Sequence, residues 1–185
     1  MKTSEANTTA KAESPQRSVA KQLRREASYF TIQELTASAT ALREGIDNRP
    51  PESAYHLLHV LVRELLDPIR KAWGEPIIVS SGYRCKQLNA LVGGTKHSHH
   101  MLGCAADIIG GLPLSHSRRG GTTGIAGNKL KHPQVKTNKT LFDFIVQMQQ
   151  EGHIKFTQLI LEQGGRWIHL SYVPGDLRCQ VIECP

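Results

Sequence analysis

Beyond a polar opening stretch, apolar positions first recur at helical spacing in YFTIQELTASATALREGIDN, where Leu35, Ala39, Leu42 and Ile46 fall on one face. Thr31 followed by Glu34 forms a capping box at its start, so a single helix is expected, weakened by Gly45 and Asn48 and stopped by Pro50 and Pro51. A second helix is expected in ESAYHLLHVLVRELLDPIRKAWG, with Leu58, Leu61, Leu65 and Ile69 buried. Pro68 should kink it, or restart it with Asp67 as the cap, and Gly74 should end it. PIIVSSGYR reads as a short apolar strand running into a polar turn, and KQLNALVGGTKHSHHM as a brief helix, a Gly-Gly turn and a loop. CAADII is again strand-like. Residues 110–139 are glycine-rich and lack hydrophobic periodicity, which predicts a long loop. TLFDFIVQMQQEG predicts a helix burying Leu141, Phe144, Ile145 and Met148, and FTQLILEQGGRWIHLSYV predicts a hairpin turning at Gln-Gly-Gly-Arg.

The hairpin can be read to its register. If Gln163 opposes Arg166, then Glu162 opposes Trp167, Leu161 opposes Ile168 and Ile160 opposes His169. One face then carries Gln158, Ile160, Glu162, Trp167, His169 and Ser171, and the other the apolar set Leu159, Leu161, Ile168 and Leu170. The apolar face belongs in the core. The polar face brings a histidine and a carboxylate close together.

Helices first, then short strands with one intervening helix, predict an α+β domain with a small, mainly antiparallel sheet. The chain has 185 residues, of which 39% are hydrophobic and 21% charged, enough for one domain with a real core. Residues 28–185 are expected to form it, and residues 1–27, poor in large apolar side chains, a flexible basic tail. No stretch approaches the length of a transmembrane helix, and the N-terminus lacks an apolar signal core. Synthesis in the cytoplasm is therefore expected, with delivery by other means if the target lies outside the membrane.

The formal charge of +7 is unevenly spread: Arg118, Arg119, Lys129, Lys131, Lys136 and Lys139 lie in the predicted loop with no acid among them. A basic surface suits nucleic acid, acidic lipid or an anionic cell-wall polymer. Aromatic residues are sparse there and no nucleic-acid motif accompanies the charge, which argues against nucleic acid. Cys85, Cys104, Cys179 and Cys184 form no CxxC pair and are expected as reduced thiols, mostly buried. His56 and His59 are expected on an exposed helix face.

A hydrolytic zinc site needs three protein ligands and one open position for water. SHHMLGCAADI (98–108) supplies two adjacent histidines and an aspartate, and the hairpin supplies His169. His100 and Asp107 would come from a loop and the start of the next strand, with Gly103 allowing a tight backbone between them and Ala105 and Ala106 leaving room beside a metal. This spacing is not that of a zinc finger.

The pattern Ser98-x-His100-x-x-Gly103-x-Ala105-x-Asp107 resembles the signature of the zinc D-alanyl-D-alanine carboxypeptidases, the related dipeptidases and the phage endolysin peptidases, which share a fold with the hedgehog signalling domain. SGYR at 81–84, LN at 88–89, GG at 93–94 and WIHLSY at 167–172 follow in the order that the resemblance predicts, over roughly residues 29–173. The resemblance implies His100, Asp107 and His169 as zinc ligands, with His100 rather than His99 at the required seven-residue spacing to Asp107. It implies that Arg84 holds a substrate carboxylate and that Ser98 contacts substrate, although a salt bridge and a loop-fixing hydrogen bond are the plainer roles. Many members place the general base three residues before the last histidine. Here that position is Arg166, which cannot be a base, so Glu162 on the face of His169 is expected to serve.

The function expected is a zinc peptidase acting on peptidoglycan stem peptides, as a carboxypeptidase or an endopeptidase, monomeric and without a nucleic-acid partner. It would work at the bacterial wall after lysis or phage delivery. A zinc-binding module of the same fold without hydrolysis, and a nucleic-acid binder using the basic loop, are the alternatives.

Overall fold

The computed structural model describes residues 28–110 and 137–185. The tail expected at 1–27 and residues 111–136 of the expected basic loop lie outside the described residues, and so does nearly all of the charge that suggested nucleic acid. No helix among the described residues is long and apolar enough to cross a membrane.

The architecture is α+β. A five-stranded sheet, formed by β1 (Ile77–Ser81), β2 (Ala105–Gly110), β3 (Gln158–Glu162), β4 (Trp167–Ser171) and β5 (Gln180–Glu183), has the order β1-β2-β4-β3-β5. Neighbours are antiparallel except β3 and β5, which run parallel. The hairpin has the register read from the sequence, with Glu162 opposite Trp167 and Ile160 opposite His169. β5 was not expected, because its alternation over Gln180–Glu183 is too short to stand out.

The expected first helix is two. Helix α1 (Ile32–Thr36) carries the Thr31–Glu34 capping box and ends where Thr36 Oγ1 donates back to the Ile32 carbonyl at 3.1 Å. Ser38 then caps α2 (Ala39–Arg43) by accepting the Ala41 amide. The break turns the apolar face away, and Leu42, expected inside, is 85% exposed. The second helix is continuous in outline: α3 (Glu52–Leu61), a π-helical turn (Val62–Leu66) and α4 (Asp67–Trp73). In the wide turn the Asp67 amide bonds to Val62, five residues back. Pro68, which has no N–H and would crowd a normal turn, is thus accommodated without a break. Leu58, Leu61, Leu65 and Ile69 are fully buried as expected, while His56 and His59 are exposed.

Two helices complete the set, α5 (Lys86–Leu91) and α6 (Asn138–Gln150). The core lies between α3, α4 and α6 and the apolar face of the sheet. It includes Trp73, Phe142 and Phe156, each of which contributes about 1.5–3 kcal/mol on burial. Asn138 ties this layer to the strands: its side chain accepts the Gly110 amide at 2.9 Å and donates to the Gly165 and Arg166 carbonyls in the hairpin turn.

Candidate metal centre

The opposite face of the sheet carries the polar residues. Strand pairing lines up Ser81, Asp107, His169 and Ile160 in one row across β1, β2, β4 and β3. Asp107 and His169, sixty-two residues apart in sequence, are therefore direct cross-strand neighbours. His100 arrives from a 3-10 helix (His99–Leu102) laid against them. Ser98 caps that helix by accepting the His100 amide at 3.3 Å, and Gly103 ends it in the left-handed region at φ 75°. Gly103 is required twice over, since a Cβ there would also stand 2.3 Å from the Ala54 carbonyl of α3.

The three side chains converge. His100 Nε2 is 3.1 Å from Asp107 Oδ1 and 3.1 Å from His169 Nδ1, and His169 Nδ1 is 2.9 Å from Asp107 Oδ1. His100 is 1% exposed and its Nδ1 lies 2.7 Å from the Gly82 carbonyl. A carbonyl only accepts, so this contact fixes the His100 proton on Nδ1 and leaves Nε2 a lone pair. Burial pushes the His100 pKa below that of a free imidazole, which agrees with a neutral ring.

The result is a set of electron-pair donors facing one point. A proton can bridge only two of them, whereas a divalent cation satisfies all three, so the residues fit a metal. The observed spacings are near the edge of a tetrahedron with bonds of about 2 Å, roughly 3.3 Å.

A family model described as Peptidase M15 matches residues 28–116, which include Gly82, Arg84, His100 and Asp107. Over these residues, just under half of the chain, the protein is similar to the Peptidase M15 family. That similarity implies a metallopeptidase. No curated protein matches the chain. The match stops before His169, whose place beside Asp107 comes from the β2–β4 pairing and not from the family model.

The remaining candidates sit around this centre at different distances. Arg84 leaves the SGYR turn with its side chain 17% exposed and Nη2 3.9 Å from Asp107 Oδ2. Its Nε is buried and has no hydrogen-bond partner among the described residues. It opens into a groove of about 530 Å³ that also touches Asp107. Glu162 lies on the polar face of β3, next to Ile160, which is opposite His169. Trp167 is on the same face, and Arg166 stands in the exposed turn with its Nη1 3.4 Å from Gln163 Oε1. Cys104 is buried, and burial pushes its thiol up to about 11, so it is no nucleophile.

Several contributors were not identified from sequence. Gly82 runs so close to α1 that a Cβ would meet the Leu35 carbonyl at 2.1 Å, and it holds the proton of His100. Buried Asn48 donates to the Thr36 and Tyr83 carbonyls at 3.0 Å each and accepts the Cys85 amide at 2.8 Å, gripping both neighbours of Arg84. His99 Nδ1 lies 3.1 Å from the buried Ser171 hydroxyl. The SGYR glycine stood in the quoted motif. Asn48 gave no signal beyond its weak helix propensity.

Proposed function

We propose that this chain is a zinc peptidase of the M15 type that hydrolyses peptidoglycan stem peptides, as a carboxypeptidase or an endopeptidase. The observation that carries the reading is the convergence of His100 Nε2, His169 Nδ1 and Asp107 Oδ1 beside Arg84, with the His100 proton turned away to Gly82. Two imidazoles and one carboxylate suit zinc. When bound, zinc lowers the pKa of water to about 7 and polarises the scissile carbonyl.

The chain's own groups supply the rest. Glu162 takes the proton of the attacking water and delivers it to the leaving amine. The Arg84 fork receives a substrate carboxylate, and its unpartnered Nε favours such a guest. Ser98, having accepted the His100 amide, keeps its own proton for a substrate carbonyl. A second reading, metal binding without hydrolysis, is favoured by Arg166 at the position where many related enzymes carry the acid.

The test is digestion of purified peptidoglycan and of a stem pentapeptide, with products weighed by mass spectrometry. Cleavage lost on chelation, restored by zinc and lost in Glu162→Ala establishes the enzyme and names the bond. Metal-dependent cleavage that survives Glu162→Ala moves the base elsewhere. No cleavage by a folded, zinc-loaded sample leaves the binding module.

A further inference from the structure

The groove beside Asp107 has a chemistry that the metal centre does not use. It runs from Asp107 and Arg84 along Val79–Ser81 of β1, which is a sheet edge, and is walled by Glu34 and the α1–α2 junction. Its volume of about 530 Å³ is within the range of small-ligand sites, and Ala37, Ser38, Ala39, Ser80 and Ser81 keep its walls low. Two side chains of opposite charge line it besides Asp107. Arg84 has a buried, unpartnered Nε. Glu34 is exposed, forms no ion pair among the described residues, and the one side-chain hydrogen bond of its carboxylate there is the long 3.5 Å contact from the Thr31 amide. Arg84 and Glu34 stand one residue either side of the hydrogen bond from the Tyr83 amide to the Leu35 carbonyl, 2.7 Å, yet make no ion pair with each other.

We infer that Glu34 is a specificity-determining residue, which selects a substrate carrying an ammonium group beside the carboxylate that Arg84 receives. This rests on the peptidase reading for its substrate and adds a class to it: peptides whose diamino residue occupies the groove next to the scissile bond. Asp107 stands 3.9 Å from Arg84, whereas Glu34 has no cation to match it among the described residues, so the groove is complementary to a guest that brings an ammonium group as well as a carboxylate, and an uncharged or purely acidic guest would leave Glu34 unmatched.

The test compares two peptides on zinc-loaded full-length protein. They share one sequence and a free C-terminal carboxylate, and differ only in a lysine or an Nε-acetyl-lysine beside the scissile bond. Binding is read by calorimetry and cleavage by mass spectrometry, for wild type and Glu34→Gln. Glutamine at the third helical position keeps the capping box, so the variant removes charge and spares α1. Wild type should prefer the free amine by about fivefold, the scale of an exposed charge pair, and Glu34→Gln should show no preference. Equal preference in both proteins, or no binding of either peptide to wild type, overturns the inference. Discrimination in binding without any cleavage would remove the peptidase reading and leave the groove's selectivity standing.

Discussion

His100 and Glu162 belong to the same polar surface, but their surroundings differ. The imidazole is 1% exposed, its Nδ1 is spoken for by the Gly82 carbonyl, and its helix is closed at one end by Ser98 and at the other by Gly103 pressed on α3. Glu162 is half-buried at the end of β3, and its carboxylate has no hydrogen bond among the described residues. Groups that hold a cation gain from being fixed before it binds. A group that must carry a proton from one atom to another gains from room to move and from contact with water. The half of the site built from residues 82–107 is rigid, and the hairpin half is open.

The largest effect should come from removing a metal donor, whichever half carries it. Asp107→Asn and His169→Ala are each expected to lose the metal and to lower stem-peptide hydrolysis by at least about 10³-fold, the value of several kcal/mol of transition-state stabilisation. Zinc content by mass spectrometry and product formation check this together. Full activity in a zinc-free variant would dismiss the trio as the centre. Next in size is the open half. Glu162→Gln should cut kcat by about 10²–10⁴-fold while zinc content and melting temperature stay at wild-type values. A loss of zinc in that variant would show that Glu162 belongs with the ligands after all.

What the sequence could and could not convey follows the same division. The hairpin was legible to the residue, because a short turn and strict alternation leave one register that buries Leu159, Leu161, Ile168 and Leu170 together. The juxtaposition of Asp107 with His169 was not, since it depends on β2 pairing with β4 across a long stretch of chain, and only resemblance pointed to it. The first helix was misread for a local reason. Thr36 bonds back to its own helix, Ser38 caps a new one, and Asn48 takes the freed Thr36 carbonyl, so side-chain hydrogen bonds overrode an apolar period that would have buried Leu42. Gly82 shows a third kind of failure: the motif contains the glycine, but the reason for it is the Leu35 carbonyl of a helix nearly fifty residues earlier.

Glycine substitutions sharpen the contrast at a smaller scale. Gly82→Ala drives a Cβ to 2.1 Å from the Leu35 carbonyl, so the SGYR turn must shift and take the Gly82 carbonyl off His100. A stability loss of about 1–3 kcal/mol and a fall in zinc affinity of about 10–100-fold are expected. Gly164→Ala in the hairpin turn has open space for its Cβ and is opposed only by a φ of 64°. It should cost about 1 kcal/mol and leave zinc affinity alone. Thermal melts and zinc titration of the two variants separate them, and equal effects on zinc would erase the distinction between the halves.

The smallest effect is chemical and needs no mutation. Cys104 follows Gly103 in the rigid half, is 1% exposed, and has a thiol pushed up to about 11 by burial. At pH 8 such a thiol is almost wholly protonated, and its burial shields it from reagent. Cys184 lies by the hairpin, half-buried, where its carbonyl accepts the Gly164 amide at 3.1 Å and its amide donates to Leu161 at 2.8 Å. Alkylation at pH 8 followed by peptide mapping should therefore mark Cys184 in the folded protein and reach Cys104 only on unfolding. The sign with pH is set by the raised thiol: Cys104 favours the folded state fully below its unfolded pKa, and that contribution is lost as pH climbs from there toward about 11. If Cys104 instead labelled as fast as Cys184 at pH 8, the segment carrying His100 and Asp107 would be opening on the timescale of the reaction, and the donor trio would have to be regarded as assembled by the metal and not waiting for it.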